Sequence, residues 1–305
     1  MDATLNRRNF TRAAAIGLGS AAFHILFAAP ARKLKIGYTC ITWGSFPGRV
    51  GAADTVEAAL KDISSLGFWG FETFPELLED LDSRDALKPL IERYDVPLIS
   101  GYLVINVTDP SAAKDSLAKV IRLGKVIKKY SGSFGVIQVN SVKRDGYDFQ
   151  ANRANIISGL NDSAMALADL GLGAGLHQHT GTAIETKDEV YTVMNAVNKY
   201  VKFAPDVGQL QKGGADPVKV VKDFLPILAH MHLKDYKGWK LYSGYCPLGQ
   251  GQVDIPAILD MVEAGSQPCD VMVELDPSKN PPQTPLETAQ ISKAYLEKLG
   301  CKFRT

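Results

Sequence analysis

Two of the five histidines in this 305-residue chain, His177 and His179, stand two apart in the stretch GLHQHTGT, residues 175–182. If the apolar run before them is a strand, both side chains leave it on one face. Two imidazoles at a strand end beside a glycine turn suit metal binding or proton transfer. A second pair, His230 and His232 in LAHMHLKD, repeats the spacing and leads into Lys234 and Asp235. Glu72 in GFETF, Asp206 in APDVGQ and Glu274 in VMVELD sit in or beside apolar runs, where an unpaired carboxylate is costly unless it meets a cation. Singly, each has a bland explanation. The histidines are satisfied polar groups of a loop, Glu72 a salt-bridge or substrate partner, Asp206 a turn residue. Their chemistry depends on whether the fold brings them to one place.

The elements that would do so alternate regularly. Strands are predicted over 34–40, 70–74, 96–103, 134–140, 172–177, 201–206, 228–233 and 270–275. Helices are predicted to start near Thr55, Arg84, Pro110, Ala151, Lys187, Asp216 and Asp254, with a last one from about Pro285 to Leu299. Asp216-Pro217 has the form of an N-cap followed by proline at the first helical position. Eight strand–helix pairs in about 270 residues imply parallel pairing and a (β/α)8 TIM barrel as a single domain. An open doubly wound sheet would place a GxGxxG loop after the first strand; ITWGSFPGRV stands there instead.

Chemistry in such barrels sits at the carboxyl ends of the strands. The residues expected there are Trp43 after strand 1, Glu72 on strand 2, Asn106 after strand 3, and Gln138 and Asn140 on strand 4. Strand 5 brings His177 and His179, strand 6 Asp206, strand 7 His232 and Lys234, and strand 8 Glu274. His232 is placed in the mouth and His230 one layer deeper, because His232 lies nearer the strand end. His, Asp, His and Glu from strands 5 to 8 make a four-ligand site for one divalent metal, and mixed N/O ligation suits Mn2+, Zn2+ or Co2+.

The segment FAPDVGQLQKGGADPVKVVKDFLPILAHMHLKD resembles the D-x-G-H…G-x-D-P…H-x-H-x-K-D core of xylose isomerase-like TIM barrels, the sugar phosphate isomerase/epimerase superfamily. PLGQGQVD is similar to that family's L-G-x-G-x-[VI]-D segment, VMVELD to its last metal-ligand strand, and GFWGFETF to its second strand. The resemblance implies one divalent metal held by His177, Asp206, His232 and Glu274. Two departures matter. The family's strand-5 glutamate is His177 here, which removes one carboxylate of the pair used by ketose epimerases. The string HQHTGT instead resembles the H-H-H-M-G-T of inosose dehydratases. The histidine of D-x-G-H is replaced by Gln209, which argues against the related zinc nucleases.

The shared chemistry is proton abstraction beside a carbonyl, through an enediolate. Glu274 or His179 is expected as the base, His179 or Glu72 as the acid, and Lys234 as a hydrogen-bond donor to a substrate oxygen. Trp43, Asn106, Gln138 and Gln209 are expected to contact substrate. The leading expectation is a lyase or dehydratase on a keto-sugar, 3-keto-glycoside or inosose. The alternatives are a keto-sugar isomerase or epimerase in the narrow sense, and a non-catalytic sugar-binding barrel.

Composition agrees with a small-molecule enzyme. Lys plus Arg is 34 against 33 for Asp plus Glu, a net charge of +1, which gives no electrostatic footprint for nucleic acid. The four cysteines are scattered and form no C-x-x-C pair, so neither a thiolate metal site nor a disulfide pairing is read from them. The N-terminus reads NRRNFTRAAAIGLGSAAFHILFAAPARK. Arg7-Arg8, the apolar run Ala13–Ala29 and the small residues around Pro30 resemble a twin-arginine export signal over residues 1–31. The expectation is a barrel over 32–305, carried by the twin-arginine translocase to the periplasm or otherwise exported. Free rather than phosphorylated sugars would be its substrates there.

Overall fold

The computed structural model describes residues 31–305; the expected leader lies, but for Ala31, outside them. All eight expected strands form, within two or three residues of their predicted bounds at most ends. They are β1 (Ile36–Thr39), β2 (Phe71–Thr73), β3 (Leu98–Ile105), β4 (Phe134–Val139), β5 (Gly173–Leu176), β6 (Val201–Phe203), β7 (His230–Leu233) and β10 (Asp270–Val273). Two short strands, β8 (Asp235–Tyr236) and β9 (Tyr245–Cys246), form an antiparallel pair between β7 and β10. The eight barrel strands run parallel in the order β6-β5-β4-β3-β2-β1-β10-β7. The ring closes between β6 and β7 through single bridges, Phe203 with Leu228 and Asp206 with His232. Ala229 N donates to Phe203 O at 3.1 Å and His232 N to Pro205 O at 2.9 Å. The seam that closes the barrel therefore joins the two segments carrying Asp206 and His232.

The helices are α1 (Ala52–Ser65), α2 (Pro75–Ser83), α3 (Leu87–Tyr94), α4 (Ala113–Lys129), α5 (Phe149–Asp169), α6 (Lys187–Met194), α7 (Val207–Lys212), α8 (Pro217–Phe224), α9 (Ile255–Ala264) and α10 (Pro285–Lys298). Their starts follow local chemistry. Asp216 caps α8 by accepting from Val218 N and Lys219 N, with Pro217 next in line. Thr186 with Glu189, and Thr284 with Glu287, form capping boxes on α6 and α10. The helix expected near Arg84 forms as α3, starting at Leu87; α2, which was not expected, starts on Pro75, and Asp85 at φ 54° turns the chain between them. Asp206, read as a possible turn residue, is the N-cap of α7, accepting from Gln209 N at 2.9 Å.

The main core lies between strands and helices, with Val56, Leu60 and Ile63 of α1 and Ile258, Leu259 and Val262 of α9 among its members. Inside the strands, Tyr102, Phe134, Val136 and Ala204 form a separate apolar plug. Charged groups above that plug therefore cannot sink further into the barrel.

The loop after β9 explains the PLGQGQVD string. Asp235, next to Lys234, accepts from four backbone N–H groups: Tyr236 at 2.9 Å, Gly249 at 3.0 Å, Gly251 at 2.8 Å and Val253 at 3.1 Å. A Cβ on Gly251 would lie 2.2 Å from Asp235 Oδ1, so only glycine lets the backbone approach that carboxylate. The motif thus anchors the β7–α9 excursion beside the barrel mouth.

Candidate active site

Strand alternation points His230, His232 and Lys234 inward from β7 and its extension, and all three are buried. The glutamate of β2 meets this row from across the barrel. Glu72 Oε1 lies 2.6 Å from His232 Nε2, and Oε2 lies 3.0 Å from His230 Nε2. Ser100 Oγ also donates to Glu72 Oε2, at 2.5 Å. His230 stacks on Phe134 of the plug, with ring centroids 5.3 Å apart, so it sits one layer below His232. Burial disfavours charge on Glu72, but the two imidazoles outweigh it and hold the carboxyl well below the usual range. Both of its oxygens are engaged and it is 1% exposed.

His232 also meets the last strand. Its Nδ1 is 3.1 Å from Glu274 Oε2. Burial opposes a charge on the ring, yet the flanking carboxylates of Glu274 and Glu72 raise its pKa well above that of a free histidine. Lys234 Nζ lies 2.5 Å from Glu274 Oε1, 2.8 Å from Asp276 Oδ1 and 2.9 Å from Asp206 Oδ2. Burial would discharge this ammonium; Asp206, Asp276 and Glu274 reverse that and push its pKa well up. An ammonium has three protons, and three carboxylates surround this one.

The structure brings together three of the four expected ligands. One ligand atom each from His177, Asp206 and His232 lies within 4.8 Å of the others, and all three residues are buried. Glu274 is outside that trio but touches His232. His177 Nδ1 is 3.2 Å from the carbonyl of Ala204, which makes Nδ1 the protonated nitrogen and turns a bare Nε2 inward. His177 Nε2, His232 Nδ1 and Asp206 Oδ2 are buried without a properly directed hydrogen bond. The contacts of Asp206 with Lys234 and of His232 with Glu274 are close but misaligned as hydrogen bonds. The bare His177 Nε2, beside His232 Nδ1 and Asp206 Oδ2, neither of them well bonded, makes a donor set that fits a borderline divalent cation, which would take the place of the His232 Nδ1 proton. The Glu72–His232 pair is the outer contact that holds a ligating imidazole in one tautomer. A second buried trio, Glu72, His230 and His232, brings its ligand atoms equally close together. Hydrogen bonding already accounts for its Glu72 contacts.

His179 stands at the rim, half-buried, with its ring 6.3 Å from that of His177. Its Nδ1 is 2.7 Å from Thr180 O and its Nε2 2.7 Å from Gln209 Nε2. The carbonyl can only accept and the amide nitrogen can only donate, so His179 is neutral with the proton on Nδ1. Burial, then Lys234, lower its pKa. Gln209 also accepts from Thr180 Oγ1 at 2.7 Å, so it joins the strand-5 loop to α7.

The expected substrate contacts divide. Gln138 points inward and accepts a hydrogen bond from the Tyr102 hydroxyl. Gln209 lies at the rim. Asn106 is not brought to the mouth: its Oδ1 accepts from Thr108 N and Asp109 N, and it lines a groove of outer helices with Ser116 and Asn155. Trp43 packs edge-on against Tyr38 at 5.2 Å and donates from Nε1 to Asp62 of α1. It borders a cleft with Asp276, Tyr242 and Gln283 beside the mouth. All four cysteines are free.

Tyr102 and Tyr245 were missed by sequence reasoning. The Tyr102 ring lies 5.8 Å from His232, nearly parallel, and 5.1 Å edge-on from His177. It pins both imidazoles against the barrel wall. The available signal was parity: Tyr102 falls on the same face of β3 as Ser100, whereas attention went to the strand end at Asn106. Tyr245 gave none, because its position depends on the β8–β9 pair.

Fold and site together define a closed (β/α)8 barrel whose carboxyl-end mouth gathers histidines, carboxylates and one lysine able to hold a divalent cation. The chain belongs to the xylose isomerase-like TIM barrel family, whose model matches residues 60–298. It is similar to the inosose dehydratase of Clostridium botulinum strain Alaska E43, at 26% identity over 303 residues, covering 87% of this chain and 97% of that protein. Among solved structures, the probable 3-DHS dehydratase AsbF of Bacillus anthracis superposes with a TM-score of 0.70 at 14% identity, covering 87% of this chain and 99% of that one. The IolI protein, solved with a zinc atom bound, superposes with a TM-score of 0.70 at 16% identity over 87% and 98% of the two chains. At those identities the structural likeness speaks for the fold alone.

Proposed function

We propose that this chain is a divalent-metal-dependent lyase that eliminates water, or another group beside the carbonyl, from a keto-sugar, 3-keto-glycoside or inosose. The observation that carries this reading is the buried trio His177, Asp206 and His232: His177 Nε2 has no partner, and His232 Nδ1 and Asp206 Oδ2 have only misaligned contacts to Glu274 and Lys234. The name of the similar inosose dehydratase supports the elimination class. A bound metal would supply Lewis acidity at the substrate carbonyl and stabilise charge developing there.

The side chains divide the remaining work. Glu274 completes the ligand set and is kept ionised: burial opposes this, but His232 and Lys234 prevail and lower its pKa well below that of a free glutamate. A carboxylate so stabilised is a poor proton acceptor, so of the two bases expected from sequence, His179 is the better fit. Movement of Gln209 frees His179 Nε2 to take the proton on the carbon beside the carbonyl. The same imidazolium then returns that proton to the departing hydroxyl, which leaves as water while the new C=C bond forms. Proton and electrons balance without a further reagent. Glu72, with both oxygens committed to His232, His230 and Ser100, acts as an orienting group rather than the acid. Lys234 holds Asp206, Glu274 and Asp276 in place rather than binding substrate. General acid–base catalysis by His179 would contribute roughly 10²–10⁴-fold.

Epimerisation is disfavoured because His177 replaces the second carboxylate a two-base mechanism needs. Metal-loaded protein incubated in D2O with an inosose and a 3-keto-glucoside tests all three expectations. An enone absorbance with release of water or aglycone supports elimination. Deuterium incorporation without release supports the epimerase. Neither product, with or without metal uptake, leaves the binding barrel. We further propose that residues 1–31 direct export, which matches unphosphorylated substrates.

A further inference from the structure

We propose that the buried hydroxyl of Tyr245 is a hydrogen-bond donor to a substrate oxygen at the barrel mouth, a catalytic contact additional to those above. The inference rests on the lyase reading and begins from donor accounting. His177 Nδ1 and His179 Nδ1 donate to the backbone carbonyls of Ala204 and Thr180. His232 Nε2 donates to Glu72. Lys234 donates to Glu274 and Asp276, and its third proton faces Asp206 Oδ2 at 2.9 Å in a misaligned contact. No donor in this set remains for the oxygen on which negative charge develops when a proton leaves the neighbouring carbon. That oxygen needs one in addition to any metal, because a preorganised donor is worth most where charge appears.

Tyr245 is fully buried and its hydroxyl has no hydrogen-bond partner. A buried unpaired hydroxyl destabilises a fold, and such groups are retained where they serve a ligand. The fold does not let this ring turn to find a partner. Tyr245 is paired with Tyr236 in the β8–β9 ladder, its carbonyl accepts from Trp239 Nε1, and its ring lies edge-on to Tyr236 at 5.8 Å. Lys234 Nζ stands 4.7 Å from the ring centroid and Lys212 Nζ 5.0 Å. Two ammonium groups at an aromatic ring polarise its O–H bond toward stronger donation. The Thr180 hydroxyl, which gives its own proton to Gln209, lies near the Tyr245 hydroxyl but out of hydrogen-bond geometry with it. Of the other buried unpaired hydroxyls, Thr39 and Thr73 line a small cavity with Glu72 and Glu274. Tyr38 belongs to the core between strands and helices, packs on Trp43 and Phe68, and faces Thr42, Ser292 and Thr288.

The test is Tyr245→Phe in the full chain loaded with Mn2+ or Zn2+, with Tyr38→Phe as the control for a buried hydroxyl elsewhere. Tyr245→Phe is expected to lower kcat on the keto-cyclitol or 3-keto-glucoside by roughly 10²-fold with little change in KM. Metal stoichiometry should be unchanged and Tm at or above that of the parent chain. Tyr38→Phe should stay within about twofold in kcat. An unchanged kcat in Tyr245→Phe overturns the proposal, as does a Tm loss of more than about 3 °C, since the hydroxyl would then be used by the fold itself. If the parent chain turns over neither compound, the lyase reading falls, and the melting comparison still decides for or against a free hydroxyl at Tyr245.

Discussion

Glu72 Oε1 lies 2.6 Å from His232 Nε2, while the opposite nitrogen of the same ring faces Asp206, His177 and Glu274. A carboxylate behind an imidazole sets which nitrogen is protonated and raises the basicity of the other. Glu72→Gln should therefore weaken Zn2+ or Mn2+ binding by about 10–100-fold without unfolding the chain. His232→Ala should abolish binding. Chelator competition measures both, and an affinity equal to the parent's in Glu72→Gln would remove Glu72 from any metal-supporting role.

Lys234, itself buried, holds three carboxylates, of which Asp206 and Glu274 are buried and Asp276 is partly exposed. Its replacement by methionine leaves their charge uncompensated, and breaking such a buried pair costs about 3–5 kcal/mol. Denaturant unfolding should show that loss in metal-free protein. Added Mn2+ should recover part of it, because a dication offsets the same carboxylates. A change under about 1 kcal/mol, the range of an exposed pair, would mean these groups are solvated in solution.

Gly251 tests the anchoring of the β7–α9 excursion. Alanine there drives its Cβ into Asp235, whose carboxylate binds four backbone N–H groups. Overpacking of this kind costs about 1–3 kcal/mol. Because the loop carries Tyr245 toward the mouth, activity should fall as well. Full activity together with parental stability in Gly251→Ala would contradict the described loop.

Asp82 gives a pH dependence away from the site. Lys129 and Tyr130, at the end of α4, hydrogen-bond its carboxylate and lower its pKa, outweighing slight burial. A carboxyl depressed on folding contributes stability above its unfolded value, and that contribution vanishes as pH falls through the folded value. Asp82→Asn should thus melt below the parent near neutral pH, and the gap should close as pH drops below about 4. A gap independent of pH would assign the effect to something other than this charge.

For the leader, Arg7 and Arg8 changed together to lysine should block export of the chain while leaving it folded in the cytoplasm. Unimpaired appearance outside the cytoplasm would rule out the twin-arginine route.

Much of the barrel was legible because hydrophobic period and punctuation are local. Runs such as FGVIQV and the Asp216-Pro217 start need no distant partner to be recognised. The two-helix break at Asp85 was not legible, since Pro75 starts a helix whose apolar face resembles any amphipathic segment. The ligand order could be inferred because each strand of a barrel ends at the same rim. Glu72 was expected as the acid, or as a substrate or salt-bridge partner; its oxygens belong to two imidazoles that follow some 160 residues later.

The sequence alone determined which side chains face the barrel interior, since alternation along each strand dictates His177, His232 and Glu274 to one face, and it carried the family motifs. Tertiary structure decided which of those inward groups meet. It saturated Lys234 with three carboxylates, locked His179 between Thr180 and Gln209, and left Tyr245 without a partner. Those outcomes depend on angstrom-scale distances between strands far apart in the chain. Periodicity fixes direction but not distance.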